Sequence, residues 1–447
     1  MSAAPLIDRE RFRDLVREAA RPRFRGAVER VSGVVMEAAG VPAAIGELCR
    51  IDRGALGPLD AEVVGFRGDR TVLMPLGELA GVAPGQAVHA LERSFQVETS
   101  NALLGRLLDG FGRPIDNGPP LTDVRARPVR TAAPAPLERE PVREALETGV
   151  RAIDGLTTLG KGQRLGIFAG AGVGKSTLLG QITRHTAADV VVVCLVGERG
   201  REVREMLEEV LGSDRRDRAV VVAATSDRSP LERMTAPWVA MSIAEHFRDQ
   251  GLDVLCVVDS ITRFALAARE VGLAAGEPPT VRGFPPSFFA AVPRLVERMG
   301  RTQRGSITGL LTVLLDGDDQ NDPVADTLRG LLDGHIELSR DLARAGHFPA
   351  IDVLGSLSRL MPKLTEGQQM REANRVRELL AVWRDGRDLV EIGAYKPGTN
   401  ARLDDAIARL PVIDAFLRQA EDDSTSFKET REMLTLVAGL ANGAGGR

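Results

Sequence analysis

The sequence of 447 residues is poor in cysteine and in aromatic residues, and it has no long apolar run and no large excess of either charge. The three cysteines are far apart and include no CxxC pair, and Cys194 and Cys256 lie inside apolar runs. We therefore expect buried free thiols and not a disulfide or a metal site. The five histidines are scattered without metal-ligand spacing.

No segment approaches the roughly 18 consecutive apolar residues of a membrane span, and the N-terminus lacks the apolar stretch of a secretory signal. The 58 basic and 62 acidic side chains give a net charge of −4, so bulk electrostatics gives no reason to expect a nucleic-acid partner. These absences predict a cytoplasmic protein. The length exceeds what one hydrophobic core usually supports, so we expect two or three domains.

The first third of the chain changes its pattern several times. Residues 1–22 are rich in arginine and could form a short helix, which is either a solvated terminal helix or a basic amphipathic segment that docks a partner or an anionic membrane. Residues 23–97 contain short apolar runs separated by glycine and proline, a pattern typical of a small β-barrel or sandwich. The turn-rich stretch 107–120 and the proline-rich stretch 128–141 predict a structured connector.

In the predicted domain 98–365, apolar β-branched runs from about residue 145 onward alternate with helical stretches, which predicts a parallel sheet covered on both faces. The predicted strands are Leu165–Phe168, Val190–Val196, Ala219–Ala224, Val254–Val258 and Ile307–Leu315. The predicted domain 366–447 is helical in pattern, and we expect Thr365 with Gln368 to form a capping box at its start.

The strongest motif is Phe168–Thr177, with the sequence FAGAGVGKST, between a predicted strand and a helical stretch. This is the context that a phosphate-binding P-loop requires. Glycines let backbone N–H groups point into one concavity, and the helix start adds positive potential. Lys175 would reach the β- and γ-phosphates, and the Ser176 hydroxyl would bind Mg²⁺. The expected nucleotide-binding residues are Gly170, Ala171, Gly172, Val173, Gly174, Lys175, Ser176 and Thr177.

One position departs from the GxxxxGK[ST] pattern, because Ala169 replaces the first glycine. The triplet Gly174–Ser176 is intact, and Gly170 and Gly172 supply the backbone freedom that the loop needs. We therefore keep the P-loop interpretation.

Two carboxylates are placed to complete such a site. Asp259 ends an apolar strand downstream of the P-loop, where an acid can hold Mg²⁺, usually through water. Glu198 lies just past the strand that follows the P-loop helix, where it can face the γ-phosphate and orient or deprotonate the attacking water. From its spacing alone, Glu198 is equally well explained as part of a charged surface loop.

These motifs, together with others in the same order, resemble the rotary ATPase superfamily and, within it, the flagellar and type III secretion export ATPases. The resemblance is dense from about residue 100 to 365, and the export family also tends to have Phe-Ala-Gly before its P-loop. The matching stretches are Leu107–Pro120, Gly149–Asp154, Gly160–Thr177, Val196–Val203, Val258–Phe264, Gly276–Pro279, Gly283–Ser287, Gly317–Pro323, Leu332–Arg340 and Ala345–Asp352.

The resemblance implies an α/β fold with a RecA/F1-like parallel-sheet core, an N-terminal small β-barrel and a C-terminal helical domain. It implies a homohexameric ring that hydrolyses ATP with Mg²⁺ at its subunit interfaces. By motif position, Glu198 would be the catalytic carboxylate, with Arg199 beside it in the site. Arg359 would be an arginine finger that reaches the neighbouring subunit's γ-phosphate, unless it forms a structural salt bridge. Phe348 matches a position that stacks on adenine, although a buried phenylalanine needs no ligand.

The resemblance also implies partners and a location. The N-terminal helix resembles the segment through which such enzymes meet a stator-like regulator and the membrane surface. An export gate, chaperones and unfolded export substrates would be the other partners. The enzyme would then be cytoplasmic and peripherally associated with the inner face of the bacterial cytoplasmic membrane.

Our primary functional hypothesis is an ATPase that energises flagellar protein export, and the Gln320–Pro323 stretch looks marginally more flagellar. The main alternative is the ATPase of a virulence type III secretion system. A non-catalytic ring subunit is disfavoured because Glu198 is an acid and not an amide. The catalytic subunit of an ATP synthase matches the motifs less well. A ring helicase is disfavoured by the acidic balance and by an N-terminal domain without interleaved aromatic and basic residues.

Overall fold

The computed structural model describes residues 25–211, 216–315 and 322–439. The predicted N-terminal helix of residues 1–22 lies outside these residues, and so do Gln320 and Asn321 of the Gln320–Pro323 stretch. The chain divides into two compact units. The first comprises the described residues up to Phe95 together with Val271–Glu277, and the second comprises the rest of the described chain. The domain boundaries expected from the sequence stay predictions.

The first unit is a closed barrel of six antiparallel strands. In chain order the strands are β1 (Arg25–Ser32), β2 (Val35–Ala39), β3 (Glu47–Ile51), β4 (Leu59–Arg67), β5 (Arg70–Pro75) and β6 (Ala87–Ser94). They pair in the order β1-β2-β5-β4-β3-β6. Alternate side chains point inward, and Met36, Cys49 and Leu73 belong to the resulting core. The predicted barrel is confirmed, and the sandwich alternative is excluded.

The second unit is built on a nine-stranded sheet. The remaining strands of the chain are β7 (Gln96–Thr99), β8 (Leu107–Asp109), β9 (Arg125–Pro128), β10 (Ala145–Leu146), β11 (Leu159–Gly160), β12 (Arg164–Ala169), β13 (Val190–Val196), β14 (Ala219–Ala224), β15 (Asp253–Asp259), β16 (Gly300–Arg301), β17 (Ser306–Leu314), β18 (Gly334–Leu338) and β19 (Ile351–Ser358). The sheet order is β19-β18-β12-β17-β15-β13-β14-β8, with β16 paired to β17. Its pairs are parallel except for those of β16 and β19.

All five predicted strands are present, within one or two residues of their expected ends. Four further strands of the sheet were missed, namely β8, β16, β18 and β19, and β16 has only two residues. β8 lies in the stretch that we expected to be only a connector, and its three residues are too few to show a period. β18 and β19 contain charged or glycine residues that interrupt the apolar pattern.

Helices cover the sheet and form the C-terminal part of the chain. In chain order the described helices are α1 (Arg151–Leu156), α2 (Lys175–His185), α3 (Gly200–Leu211), α4 (Pro230–Arg248), α5 (Ile261–Ala275), α6 (Pro286–Val296), α7 (Pro323–Leu331), α8 (Arg340–Arg344), α9 (Met361–Leu364), α10 (Gly367–Glu391), α11 (Ala401–Leu417) and α12 (Phe427–Ala438). The last three pack on one another and on α1 around a shared apolar core that includes Val376, Phe416 and Leu434. The predicted C-terminal helical domain is confirmed.

The capping box expected at the start of this domain is wrong. Helix α10 begins at Gly367, and its N-cap residue is Glu366, without a side-chain cap. Thr365 instead follows α9, and its hydroxyl donates a hydrogen bond of 2.8 Å to the carbonyl oxygen of Met361. Because the Thr365 hydroxyl is hydrogen-bonded to the backbone of α9, it does not cap α10.

The three cysteines are free and buried, as predicted. Burial raises the pKa of Cys49 and of Cys256 to about 12, so both thiols stay neutral and act as packing groups. Within the described ranges, no helix is both long enough and apolar enough to cross a membrane.

Candidate active site

The phosphate loop connects β12 to α2 at the carboxyl edge of the sheet. Gly172 and Gly174 have φ angles of 75° and 87°, in the left-handed region that favours glycine. Gly174 is the N-cap of α2, and it offers no side chain to the first N–H groups of the helix. A helix start whose N–H groups have no side-chain cap is suited to an anion.

The departure at Ala169 has a structural explanation. Ala169 is the last residue of β12, fully buried, and paired with Leu314 and Leu338 on its two neighbouring strands. Extended backbone of this kind does not require glycine. The bend of the loop begins after Ala169, so this substitution leaves the loop conformation intact.

Lys175 points toward two carboxylates. Its ammonium contacts the carboxylate of Asp259, and its Nζ lies 3.7 Å from Oε1 of Glu198. Asp259 is the last residue of β15 and is buried, and its Oδ1 accepts a hydrogen bond of 2.6 Å from the Thr312 hydroxyl on β17. The sequence therefore brings Lys175, Asp259 and Glu198 together at the start of α2.

Glu198 is a buried carboxylate with an unusual environment. Its side chain is only 12% exposed, and Oε1 accepts no hydrogen bond from any described residue. Burial, followed by the neighbouring carboxyls of Glu202 and Asp259, raises the pKa of Glu198 to about 7, and the charge of Lys175 opposes this shift only in part. This environment argues against the surface-loop interpretation of Glu198.

The side chains of Ser176, Glu198 and Asp259 line one cavity of about 120 Å³. Glu202 and Glu205, which project from α3, line it as well. Oxygen atoms of this kind are the ligands that Mg²⁺ prefers, and Mg²⁺ usually takes only one or two from the protein and the rest from phosphates and water. Among the described residues, no group of three or more acids, histidines or cysteines converges on a single metal position. These residues fit a Mg²⁺ site in which the protein supplies a few oxygen ligands and a bound triphosphate supplies the others.

Two predicted arginines do not reach this cavity within one chain. Arg199 is 81% exposed, and its guanidinium lies 3.7 Å from Glu202. Arg359 is exposed at the end of β19, and its Nη2 donates a long hydrogen bond of 3.4 Å to the Arg329 carbonyl oxygen. No carboxylate pairs with Arg359 in the described part of the chain, so the salt-bridge alternative has no support there.

Phe348 lies against the phosphate loop. A Cβ atom built on Gly174 would be 3.3 Å from Cε1 of the Phe348 ring, and the ring is 45% exposed. The chain at Phe348 is held to the C-terminal helices, because its carbonyl oxygen accepts a hydrogen bond of 3.0 Å from the Gln419 N–H. An exposed ring at this place is open to a planar ligand, and the adenine role of Phe348 stays a prediction.

The sequence interpretation missed Thr312 and Arg263. Thr312 is one of three hydroxyl residues of β17, with Ser306 and Thr308, so the sequence alone does not single it out. Arg263 packs its side-chain carbons against Gly197, which has a φ of 67°, and the buried Nε of Arg263 has no acceptor among the described residues. The aliphatic carbons of Arg263 thus pack against the turn at Gly197 that directly precedes Glu198.

Comparisons with known proteins agree with this geometry. The model of the ATP synthase alpha/beta family nucleotide-binding domain matches residues 149–358, the beta-barrel domain model of that family matches 28–92, and the T3SS EscN ATPase C-terminal domain model matches 365–435. A flagellum-specific ATP synthase of Bacillus subtilis is 49% identical over 93% of this chain and 95% of its own length.

The chain belongs to the ATP synthase alpha/beta family, in its flagellar and type III secretion branch. A type 3 secretion system ATPase of Xanthomonas euvesicatoria is 48% identical over 98% of this chain and 99% of its own length. The structure of the assembled ATPase EscN of enteropathogenic E. coli matches with a TM-score of 0.88 and 42% identity, over 92% of this chain and 100% of that chain. The predicted family, the predicted fold class and the predicted enzyme class, an ATPase coupled to protein export, are confirmed by these matches.

Proposed function

We propose that this protein hydrolyses ATP to drive the flagellar protein export apparatus, and that it works as a homohexameric ring. The observation that carries the proposal is the convergence of Lys175, Asp259 and Glu198 on one phosphate loop. A cation for the phosphates, an acid for Mg²⁺ and a buried carboxylate for water are the parts that phosphoryl transfer to water needs.

Each side chain has a distinct role in this proposal. Lys175 neutralises the β- and γ-phosphates, together with the free N–H groups at the start of α2. Glu198 orients the attacking water and takes its proton, which a carboxyl of raised pKa can do near neutral pH. Ser176 and Asp259 would hold Mg²⁺, which would supply charge neutralisation at the phosphates.

The choice of a flagellar function rests on the wider set of relatives. Proteins named flagellum-specific ATP synthase in Pseudomonas aeruginosa and Salmonella typhimurium are each 47% identical to this chain. The 48% identity of the Xanthomonas secretion ATPase is equally high. The alternative, the ATPase of a virulence secretion system, is therefore also consistent. Deletion of the gene decides between them, because loss of flagella with secretion of virulence proteins intact is expected only from the flagellar function.

Partners and location extend the proposal. The matched structures include assembled EscN and EscN in complex with its central stalk EscO. We infer by analogy that this chain assembles with itself and meets a stalk or stator-like regulator, an export gate, chaperones and export substrates, and that it binds no nucleic acid. We place it in the cytoplasm, in peripheral contact with the cytoplasmic membrane through residues 1–22.

Specific ATPase activity is expected to rise steeply with protein concentration, because Arg359 does not reach the phosphate loop of its own chain. Arg359→Ala should lose about 10³-fold in turnover while the ring still forms, since the variant lacks the cation that stabilises the transferring phosphoryl group. Steady-state hydrolysis and light scattering across the same concentration series measure both effects. Arg344→Ala, which removes another exposed arginine, is the matched control. Undiminished turnover of Arg359→Ala in assembled rings would contradict the finger assignment.

The pH dependence of turnover is expected to report Glu198. Its pKa is raised to about 7, and only the ionised form accepts a proton, so kcat/KM should rise as the pH increases through about 7 and then level off. Glu202 contributes to the raised pKa of Glu198. Glu202→Gln should therefore move the rise to lower pH. Two results would argue against this role: a kcat/KM that does not change between pH 6 and 8, or a rise that Glu202→Gln moves to higher pH.

A further inference from the structure

Arg340 lies beside the phosphate loop. It is the last residue of the matching stretch Leu332–Arg340, but none of the roles described above is assigned to it. It follows β18, the parallel neighbour of β12, and Leu338 of β18 is paired with Ala169 of β12. Because parallel strands end at the same edge of a sheet, Ser339 is level with Gly170, and Arg340 follows it at that edge. A Cβ atom built on Gly170 would lie 2.9 Å from Nη2 and 3.7 Å from Cζ of Arg340. The guanidinium therefore packs directly against the Gly170 backbone.

This guanidinium has no other partner in the described chain. No described acid or carbonyl oxygen forms an ion pair or a hydrogen bond with it, although the residue is half-buried. Arg344, on the same helix, is instead 72% exposed and lies 3.6 Å from Asp341. A guanidinium carries five N–H donors in a rigid plane. No described carboxylate neutralises its charge, which adds positive potential at the place where the phosphates of a nucleotide arrive.

The segment that carries Arg340 is held firmly in place. Ser339 caps helix α8, since its hydroxyl oxygen accepts a hydrogen bond of 3.3 Å from the Leu342 N–H. Farther along, the carbonyl oxygen of Gly346 accepts a hydrogen bond of 2.7 Å from Nη1 of Arg418. The same segment ends in Phe348, whose ring covers Gly174 at the other end of the phosphate loop. One anchored segment thus contacts the loop at both ends.

We propose that Arg340 is a positioning residue of the phosphate loop, which holds Gly170 in the conformation that receives the phosphates. The inference rests on the proposed function, because it concerns the same nucleotide site. Without Arg340, the entry of the loop loses its packing partner and a nearby positive charge. Nucleotide binding should weaken, while the chemical step should change little because Lys175 and Glu198 stay in place.

Nucleotide affinity and turnover of Arg340→Ala, Arg340→Lys and Arg344→Ala test this role. We expect Arg340→Ala to raise the Kd for fluorescent ADP and the KM for ATP about 10-fold, with kcat changed less than about threefold. Arg340→Lys, which keeps the charge without the flat guanidinium, should restore part of the affinity. Arg344→Ala should match the wild type. An Arg340→Ala protein with wild-type Kd and KM overturns the inference, whereas a wild-type protein that neither binds nor hydrolyses ATP overturns the proposed function instead.

A double-mutant cycle with Gly170→Ala separates positioning from other effects. The added methyl group would meet Nη2 of Arg340 and displace it, and the φ of Gly170 lies outside the left-handed region, so the backbone accepts alanine. If Arg340 acts through Gly170, the two changes together should cost little more affinity than either alone. Additive losses would overturn the inference. A loss of affinity for ATP but not for ADP would overturn it too, because it would show direct contact with the γ-phosphate.

Discussion

ATP turnover is expected to fall at least about 10²–10³-fold when Lys175 is replaced by alanine, and nucleotide binding is expected to weaken with it. Four carboxylates line the cavity beside the phosphate loop: Glu198, Glu202, Glu205 and Asp259. No basic side chain is among the described residues that line it. A triphosphate would therefore be repelled there without the ammonium of Lys175, which contacts Asp259 and lies near Glu198.

The loss in Lys175→Ala must be separated from a general loss of stability, because the variant also leaves Asp259 buried without its cation. Lys161 offers a matched control. Its Nζ lies 2.7 Å from Asp253, the first residue of β15, whereas Lys175 contacts Asp259, the last residue of the same strand. Both lysines are thus largely buried, and each pairs with an aspartate at one end of β15.

Lys161→Ala should lower the melting temperature without preventing hydrolysis, and Lys175→Ala should prevent hydrolysis even where it is fully folded. Calorimetry with and without ADP, beside steady-state hydrolysis, measures both quantities. Binding of ADP stabilises a protein in proportion to its affinity. A Lys175→Ala protein that ADP stabilises as much as it stabilises the wild type, and that still turns over ATP, would refute the phosphate-binding role.

The parts of this molecule that were predicted from sequence are those with a local signal. β13 and β15 are continuous apolar runs, and their period and length identify buried parallel strands. The P-loop is equally local, since its glycines and its lysine lie within the ten residues Phe168–Thr177, directly between a strand and a helix. Asp259 is visible as the acid at the end of such a strand.

The rest of the site depends on contacts between distant parts of the chain. Arg340 is close to Gly170 only because β18 is the neighbour of β12, and the sequence does not give strand order. The same holds for the hydrogen bond from Thr312 to Asp259, 53 residues apart. Glu198 stands in a stretch of alternating charges that looks like a surface loop, and only the fold shows that its carboxylate is buried. Its environment, and not its spacing, supports a chemical role.

Glu198→Gln is expected to reduce turnover at least about 10²-fold while nucleotide binding is retained. The amide has the same shape as the carboxylate, so the packing around residue 198 is preserved, but it cannot take a proton from water. Lys175 and the N–H groups at the start of α2 are unchanged, and they carry the binding of the phosphates. Loss of turnover with binding intact distinguishes a residue of the chemical step from one that binds the ground state.

The raised pKa of Glu198 gives this variant a second expected result. Because the folded protein holds this carboxyl at a pKa of about 7, above its value of 4.5 in the unfolded chain, the fold loses stability as the pH rises from about 4.5 to about 7, and the loss stays constant at higher pH. Glu198→Gln removes that cost, so at pH 8 it should melt no lower than the wild type. An inactive variant that is also less stable would point to a structural role.

Glu232→Gln is the matched control for Glu198→Gln. Glu232 is also a buried carboxyl whose pKa is raised chiefly by burial, but it accepts a hydrogen bond of 3.2 Å from the Gly110 N–H, at a place outside the cavity of the phosphate loop. Its amide variant should keep most of the ATPase activity. Equal activity losses in the two variants would show that the catalytic assignment of Glu198 is wrong, because any buried carboxyl would then have the same effect. A loss confined to Glu198→Gln, with ATP still bound, assigns the activation of water to this carboxylate.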